Sequence, residues 1–146
     1  MSKANIWARK KARRALVQAV YQWQLSGHTF TSLKHDFMEG DALKKADVEF
    51  FSELLQHVLY DVEAVDAHFA ERLDRPLAQL DQVELAILRL ATVEFSERID
   101  VPYRVVIDEY VELAKTFGAQ DSHKYINGVL DTLALSLRPL ETAARG

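Results

Sequence analysis

The sequence predicts an all-α fold, a compact helical domain of about seven helices arranged as two helical subdomains. Three observations lead there. Only 5 Gly and 3 Pro stand among 146 residues, too few turn-formers for a many-stranded sandwich or barrel. Apolar residues, 49% of the chain, recur at intervals of three and four, the period of one helix face. Arg75-Pro76 interrupts that rhythm near the middle, because the residue before a proline is pushed out of the helical region while proline itself suits the first turn of a new helix. The break separates an N-terminal subdomain over 1–75 from a C-terminal one over 76–146. A chain of this size buries roughly two-thirds of its unfolded surface and needs no staple or metal to fold.

The elements follow in order. Helix 1 covers Ala8 to Leu25, with Ala12, Leu16, Ala19, Val20 and Trp23 on one face and Ser26-Gly27 at its end. Phe30, Leu33 and Phe37 mark a short second helix that stops near Gly40. Asp47 suits the N-cap of a long third helix, along which Phe51, Leu54, Leu55, Val58, Val62, Val65 and Phe69 keep the rhythm to about Arg72. That is one rod of about 36 Å at 1.5 Å per residue. Beyond Pro76, Leu80, Val83, Ile87, Leu88, Leu90, Ala91 and Phe95 form a stripe wide enough for a central helix covered on several sides. Arg98 to Val101 is a loop, and Pro102 opens a helix with Val106, Ile107, Tyr110, Leu113, Ala114 and Phe117 inward and Asp108, Glu109 and Glu112 outward. Gly118 closes it. Asp121 or Ser122 caps the last helix, whose core is Tyr125 or Ile126 with Val129, Leu130 and Leu133, and Pro139 follows its end.

Composition excludes several kinds of chemistry. Without cysteine there is no disulfide framework, thiolate zinc site, iron–sulfur cluster or cysteine nucleophile. No run of about 18 apolar residues occurs, and Met1 to Leu25 lacks the continuous apolar stretch of an export signal, so a cytoplasmic protein with no membrane partner is expected. Gly27, Gly40, Gly118, Gly128 and Gly146 are too scattered to cradle a phosphate. Asp121-Ser122-His123 cannot act as a relay, since backbone neighbours point in different directions. Glu53, His57 and Asp61 would share one helix face, where a solvated polar stripe is a plainer reading than a metal site. Glu109 and Glu112 lack the apolar surroundings that raise a carboxylate pKa for acid–base work. No catalytic residue, cofactor or metal is expected.

Charge is the informative feature. The net charge is −4, yet the first 35 residues hold seven Lys/Arg and no Asp or Glu, which leaves 11 basic and 22 acidic residues, a net of −11, for the remainder. Arg9, Lys10, Lys11, Arg13 and Arg14 crowd the start of helix 1, where cations oppose the helix dipole and like charges at i, i+4 repel. A polyanion would offset both costs; a frayed, solvated terminus is the plainer alternative. On the same helix Arg14, Gln18 and Tyr21 are spaced by four and three, combining a guanidinium, a base-edge amide and a ring that can stack. Those groups suit single-stranded RNA, where bases meet rings and phosphates meet cations. The competing class is a helical protein–protein adaptor whose basic helix docks an acidic partner.

Helix 1, Ala12-Arg13-Arg14-Ala15-Leu16-Val17-Gln18-Ala19-Val20-Tyr21-Gln22-Trp23, resembles the amino-terminal helix of the NusB family of bacterial transcription antitermination factors. Val101 through Glu109 and Glu112 through Asp131 are similar to that family's carboxy-terminal signature, with Lys124-Tyr125-Ile126-Asn127-Gly128-Val129-Leu130-Asp131 its most specific part, and Gln82 to Arg89 is similar as well. The resemblance implies an all-α, non-enzymatic protein of two helical subdomains. It implies binding of single-stranded boxA RNA from ribosomal RNA operon leaders, jointly with the ribosomal protein NusE, within an RNA polymerase antitermination complex that contains other Nus factors. Position by position, the implied RNA contacts are Arg9, Lys10, Lys11, Arg13, Arg14, Gln18 and Tyr21 on helix 1 and Asp121, Ser122, Lys124, Tyr125 and Asn127 near the last helix, and the implied NusE contact is Glu84. Members commonly carry Arg where Lys10 and Lys11 stand here, which replaces planar forks with point charges.

Overall fold

The computed structural model describes residues 3–145. Eight α-helices and a single 3-10 turn run along them, with no strand among the described residues. The chain divides into two compact units, the first ending at Tyr60 and the second starting at Asp61. This division precedes Arg75-Pro76, which lies within the second unit.

In the first unit, α1 (Lys3–Ser26) packs on α2 (Phe30–Glu39) and α3 (Val48–Tyr60), and α2 packs on α3. Its core is Ala12, Ala15, Leu16, Ala19 and Val20 against Leu33 and Phe50, Phe51, Leu54, Leu55 and Val58, all buried. The helix ends are made locally. Gly27 takes φ 71°, a left-handed conformation that favours glycine, and donates its N–H to the Trp23 carbonyl at 2.8 Å. Thr29 and Asp47 accept from the N–H groups of Ser32 and Phe50 at the starts of α2 and α3.

In the second unit, α5 (Gln82–Glu97), α6 (Tyr103–Phe117) and α7 (Ser122–Leu137) pack on one another, α4 (Val62–Ala70) lies on α5 and α7, and α8 (Pro139–Arg145) lies on α7. The 3-10 turn Leu77–Gln79 follows Pro76. α5 is central as its pattern predicts, buried from Glu84 to Leu88 and from Leu90 to Phe95. Between those runs Arg89 forks onto Asp66 of α4 with two bonds of 2.9 Å.

The single long third helix of the sequence reading is two helices. At Asp61 the backbone leaves helical geometry (φ −131°, ψ 39°), and α4 restarts with the Val65 N–H bonded to the Asp61 carbonyl. No Gly or Pro marks the break. Its cause is tertiary, since α3 serves the core of the first unit and α4 that of the second. The sequence reading also leaves out α8, whose seven residues begin at Pro139.

The α7–α8 junction holds Arg138, only 5% exposed. Its guanidinium donates to the carbonyls of Phe95 (2.7 Å), Val101 (2.9 Å) and Arg98 (2.9 Å) and pairs with Glu141 at 2.6 Å. These carbonyls end α5 and the loop after it, groups that no intrahelical N–H can satisfy. Glu141 in turn accepts the Tyr103 N–H at 2.7 Å, at the start of α6. One ion pair thus caps two helices.

Candidate nucleic-acid interface

The basic cluster of α1 splits into two faces. Arg13 shares the buried side of Leu16, Val17 and Val20 and is itself 3% exposed. Its guanidinium lies 5.1 Å from the centre of the Phe50 ring, and that of Arg9 lies 5.0 Å from the same ring. Arg9 also stands 3.6 Å from Asp47, the residue that caps α3. Of these two arginines, both expected to contact RNA, Arg13 is buried and Arg9 partly covered against Phe50; their stacking and ion pairing offset part of the repulsion among the cations of α1. The other face carries Lys11, Arg14, Gln18 and Tyr21, all exposed, with Lys10 half-buried. The Lys10 ammonium lies 6.0 Å from the Trp7 ring, and the Gln18 amide donates to the Arg14 carbonyl.

The second predicted set surrounds the start of α7. Asp121 adopts φ 66° with no side-chain cap bond, and Lys124 lies 3.5 Å from it on the surface. Gly118 ends α6 in extended conformation, and a Cβ there would stand 2.7 Å from the Ala114 carbonyl and 3.2 Å from Ser122; the tight end of α6, with the start of α7 beside it, leaves no room for a side chain. Asn127 is exposed. Ser122 is not: its hydroxyl donates to the Glu84 carboxylate at 2.7 Å, with both residues buried. Sequence reasoning gave these two side chains to different partners, RNA and NusE; in the structure they bond to each other between α7 and α5.

Tyr125 is half-buried, with Ile126 rather than Tyr125 in the core. The Arg75 guanidinium lies 4.6 Å from the centre of its ring and forks onto Asp74 at 2.7 and 3.2 Å. The bonded Arg75 holds the Asp74 carboxyl below its ordinary value, while burial, followed by the charge of Asp74, raises that of the Tyr125 phenol. The phenol therefore stays a neutral hydroxyl at physiological pH. Sequence reasoning missed Arg75, which it saw only as the residue before a proline.

The NusB family model matches residues 10–135. The chain belongs to the NusB family. Among curated members, "Transcription antitermination protein NusB" of Alcanivorax borkumensis is 51% identical over 138 residues, which cover 94% of this chain and 92% of that one. The protein of the same name from Teredinibacter turnerae is 48% identical over 145 residues, covering 98% and 99%. A solved structure of T. maritima NusB superposes with a TM-score of 0.76 at 28% identity, over 86% of this chain and 89% of that one. The all-α fold expected of the family is the fold observed. Among the described residues no helix is long and apolar enough to cross a membrane, and no group of three or more His, Asp or Glu is placed to hold a metal ion.

Proposed function

We propose that the protein is an RNA-binding transcription antitermination factor that takes up the boxA element of ribosomal RNA operon leaders together with NusE, and so supports processive transcription within an RNA polymerase complex containing other Nus factors. It acts by binding, with no catalytic step of its own. The observation that carries this reading is the exposed row Lys11, Arg14, Gln18 and Tyr21 on α1, in a stretch of 35 residues without one acidic group. Cations on that row meet phosphates, while the amide and the ring meet a base. Arg9 and Arg13 act indirectly, fixing α1 on Phe50. Asp121, Lys124, Tyr125 and Asn127 supply a second set of contacts, and Arg75 presents a guanidinium plane beside the Tyr125 ring. Glu84 of α5, held by the Ser122 hydroxyl through one carboxylate oxygen, is the proposed contact for the basic NusE partner.

A titration of labelled single-stranded boxA RNA across a salt series tests the proposal. Neutralising three phosphates, by Lys10, Lys11 and Arg14, gives a log–log slope of about −2 at roughly 0.7 per phosphate. The Lys11→Ala, Arg14→Ala double variant binds more weakly and with a shallower slope. A flat salt response, or unchanged binding by that variant, would overturn the assignment.

A further inference from the structure

The outward face of α1 continues past the residues assigned so far. Trp7 is 62% exposed, a high value for the largest apolar side chain. From it, exposed residues follow at alternating intervals of four and three: Trp7, Lys11, Arg14, Gln18 and Tyr21. Such a spacing keeps to one side of a helix, drifting only about 20° per heptad. The row therefore begins and ends with an aromatic ring, about 21 Å apart at 1.5 Å per residue, with two cations and an amide between them. Lys10, 6.0 Å from the indole, adds a third cation at the Trp7 end.

We propose that Trp7 is a second base-stacking platform of α1, matched to Tyr21 across Lys11 and Arg14, so that the row holds a single strand with unstacked bases at both ends and phosphates between. This rests on the RNA reading above and extends it by one recognition element. Single-stranded nucleic acid is the occupant that fits both kinds of group. Every base offers a π-face to an indole whatever its identity, and the backbone between two stacked bases presents charges to lysine and arginine. A basic or neutral protein surface would leave Lys10, Lys11 and Arg14 facing unmatched charge.

The test uses the full chain, with two labelled strands of equal length: boxA RNA and an abasic strand that keeps sugars and phosphates but lacks bases. Trp7→Ala weakens binding of boxA RNA by about five- to tenfold, leaves binding of the abasic strand and the salt slope unchanged, and Trp7→Phe restores most of the affinity. Equal loss on both strands would show that Trp7 only steadies the helix, and would overturn the proposal. So would unchanged RNA affinity in Trp7→Ala, including the case in which sedimentation shows that this substitution dissolves a dimer and the row is a seam between copies. In each of these cases the Lys11→Ala, Arg14→Ala variant reports separately on the RNA reading, which stands if that variant loses binding and falls if it does not.

Discussion

Arg138 shows how much a single side chain can organise when it is buried with its partners. Its guanidinium satisfies carbonyls at the end of α5 and in the following loop, and its ion pair with Glu141 reaches the start of α6. Truncation leaves several of these groups desolvated and unbonded, so Arg138→Ala lowers stability by about 3 kcal/mol, read from the urea midpoint at unchanged m-value; a loss below about 1 kcal/mol would show that water replaces the guanidinium at little cost. Nothing in the local pattern around Arg138 signals this role, because every acceptor but Glu141 is a backbone carbonyl about 40 residues away. Arg13 is different. It stands at i, i+3, i+4 and i+7 with Leu16, Val17 and Val20, so its inward direction was legible from the same periodicity that placed the helix. Five neighbouring cations read as one cluster obscured it. Glu84 and Ser122 were beyond such reasoning, since their bond joins positions 38 apart.

At the level of elements, caps and periodicity located the helices well. Asp47 caps α3 as the sequence suggests and Pro102 precedes α6, whereas the caps of α2 and α5 by Thr29 and Asp81 were not read from the sequence. Asp121, expected as a cap, precedes α7 with no side-chain cap bond. The break at Asp61 stayed hidden because an aspartate within an unbroken apolar rhythm carries no local stop signal, and only the separate cores of the two units require one. Gly118 was legible as a helix end but not for its reason. Since a methyl group there meets the Ala114 carbonyl of the last turn of α6 at 2.7 Å and the Ser122 side chain at 3.2 Å, Gly118→Ala distorts the end of α6 and the turn into α7 and lowers stability by about 1–3 kcal/mol, measurable as a fall in thermal midpoint. A neutral result would mean that the turn relaxes without disturbing the pair of helices.

Across the whole molecule the decisive property is the separation of charge. A protein of net charge −4 is expected to pass through a negatively charged ion-exchange resin at pH 7, yet the first 35 residues carry +7 against −11 for the rest. A localised field governs association more than the sum does. The chain is therefore retained on such a resin at low salt, and Lys11→Glu with Arg14→Glu abolishes retention; equal elution of the two proteins would show that the basic face is too diluted to act alone. Counting charges along the chain suffices to reveal this asymmetry. The orientation of each cation does not follow from counting, and it is the packing of α1 on Phe50 that removes Arg9 and Arg13 from the outward set and leaves Trp7 in it.

The Arg138–Glu141 clamp also sets an order of events during synthesis. The end of α5 and the start of α6 receive their caps from residues some 40 positions later in the chain, so neither can be finished as it leaves the ribosome. These helix ends gain their caps only once positions 138 to 141 are in place, so the second unit closes as a whole rather than helix by helix.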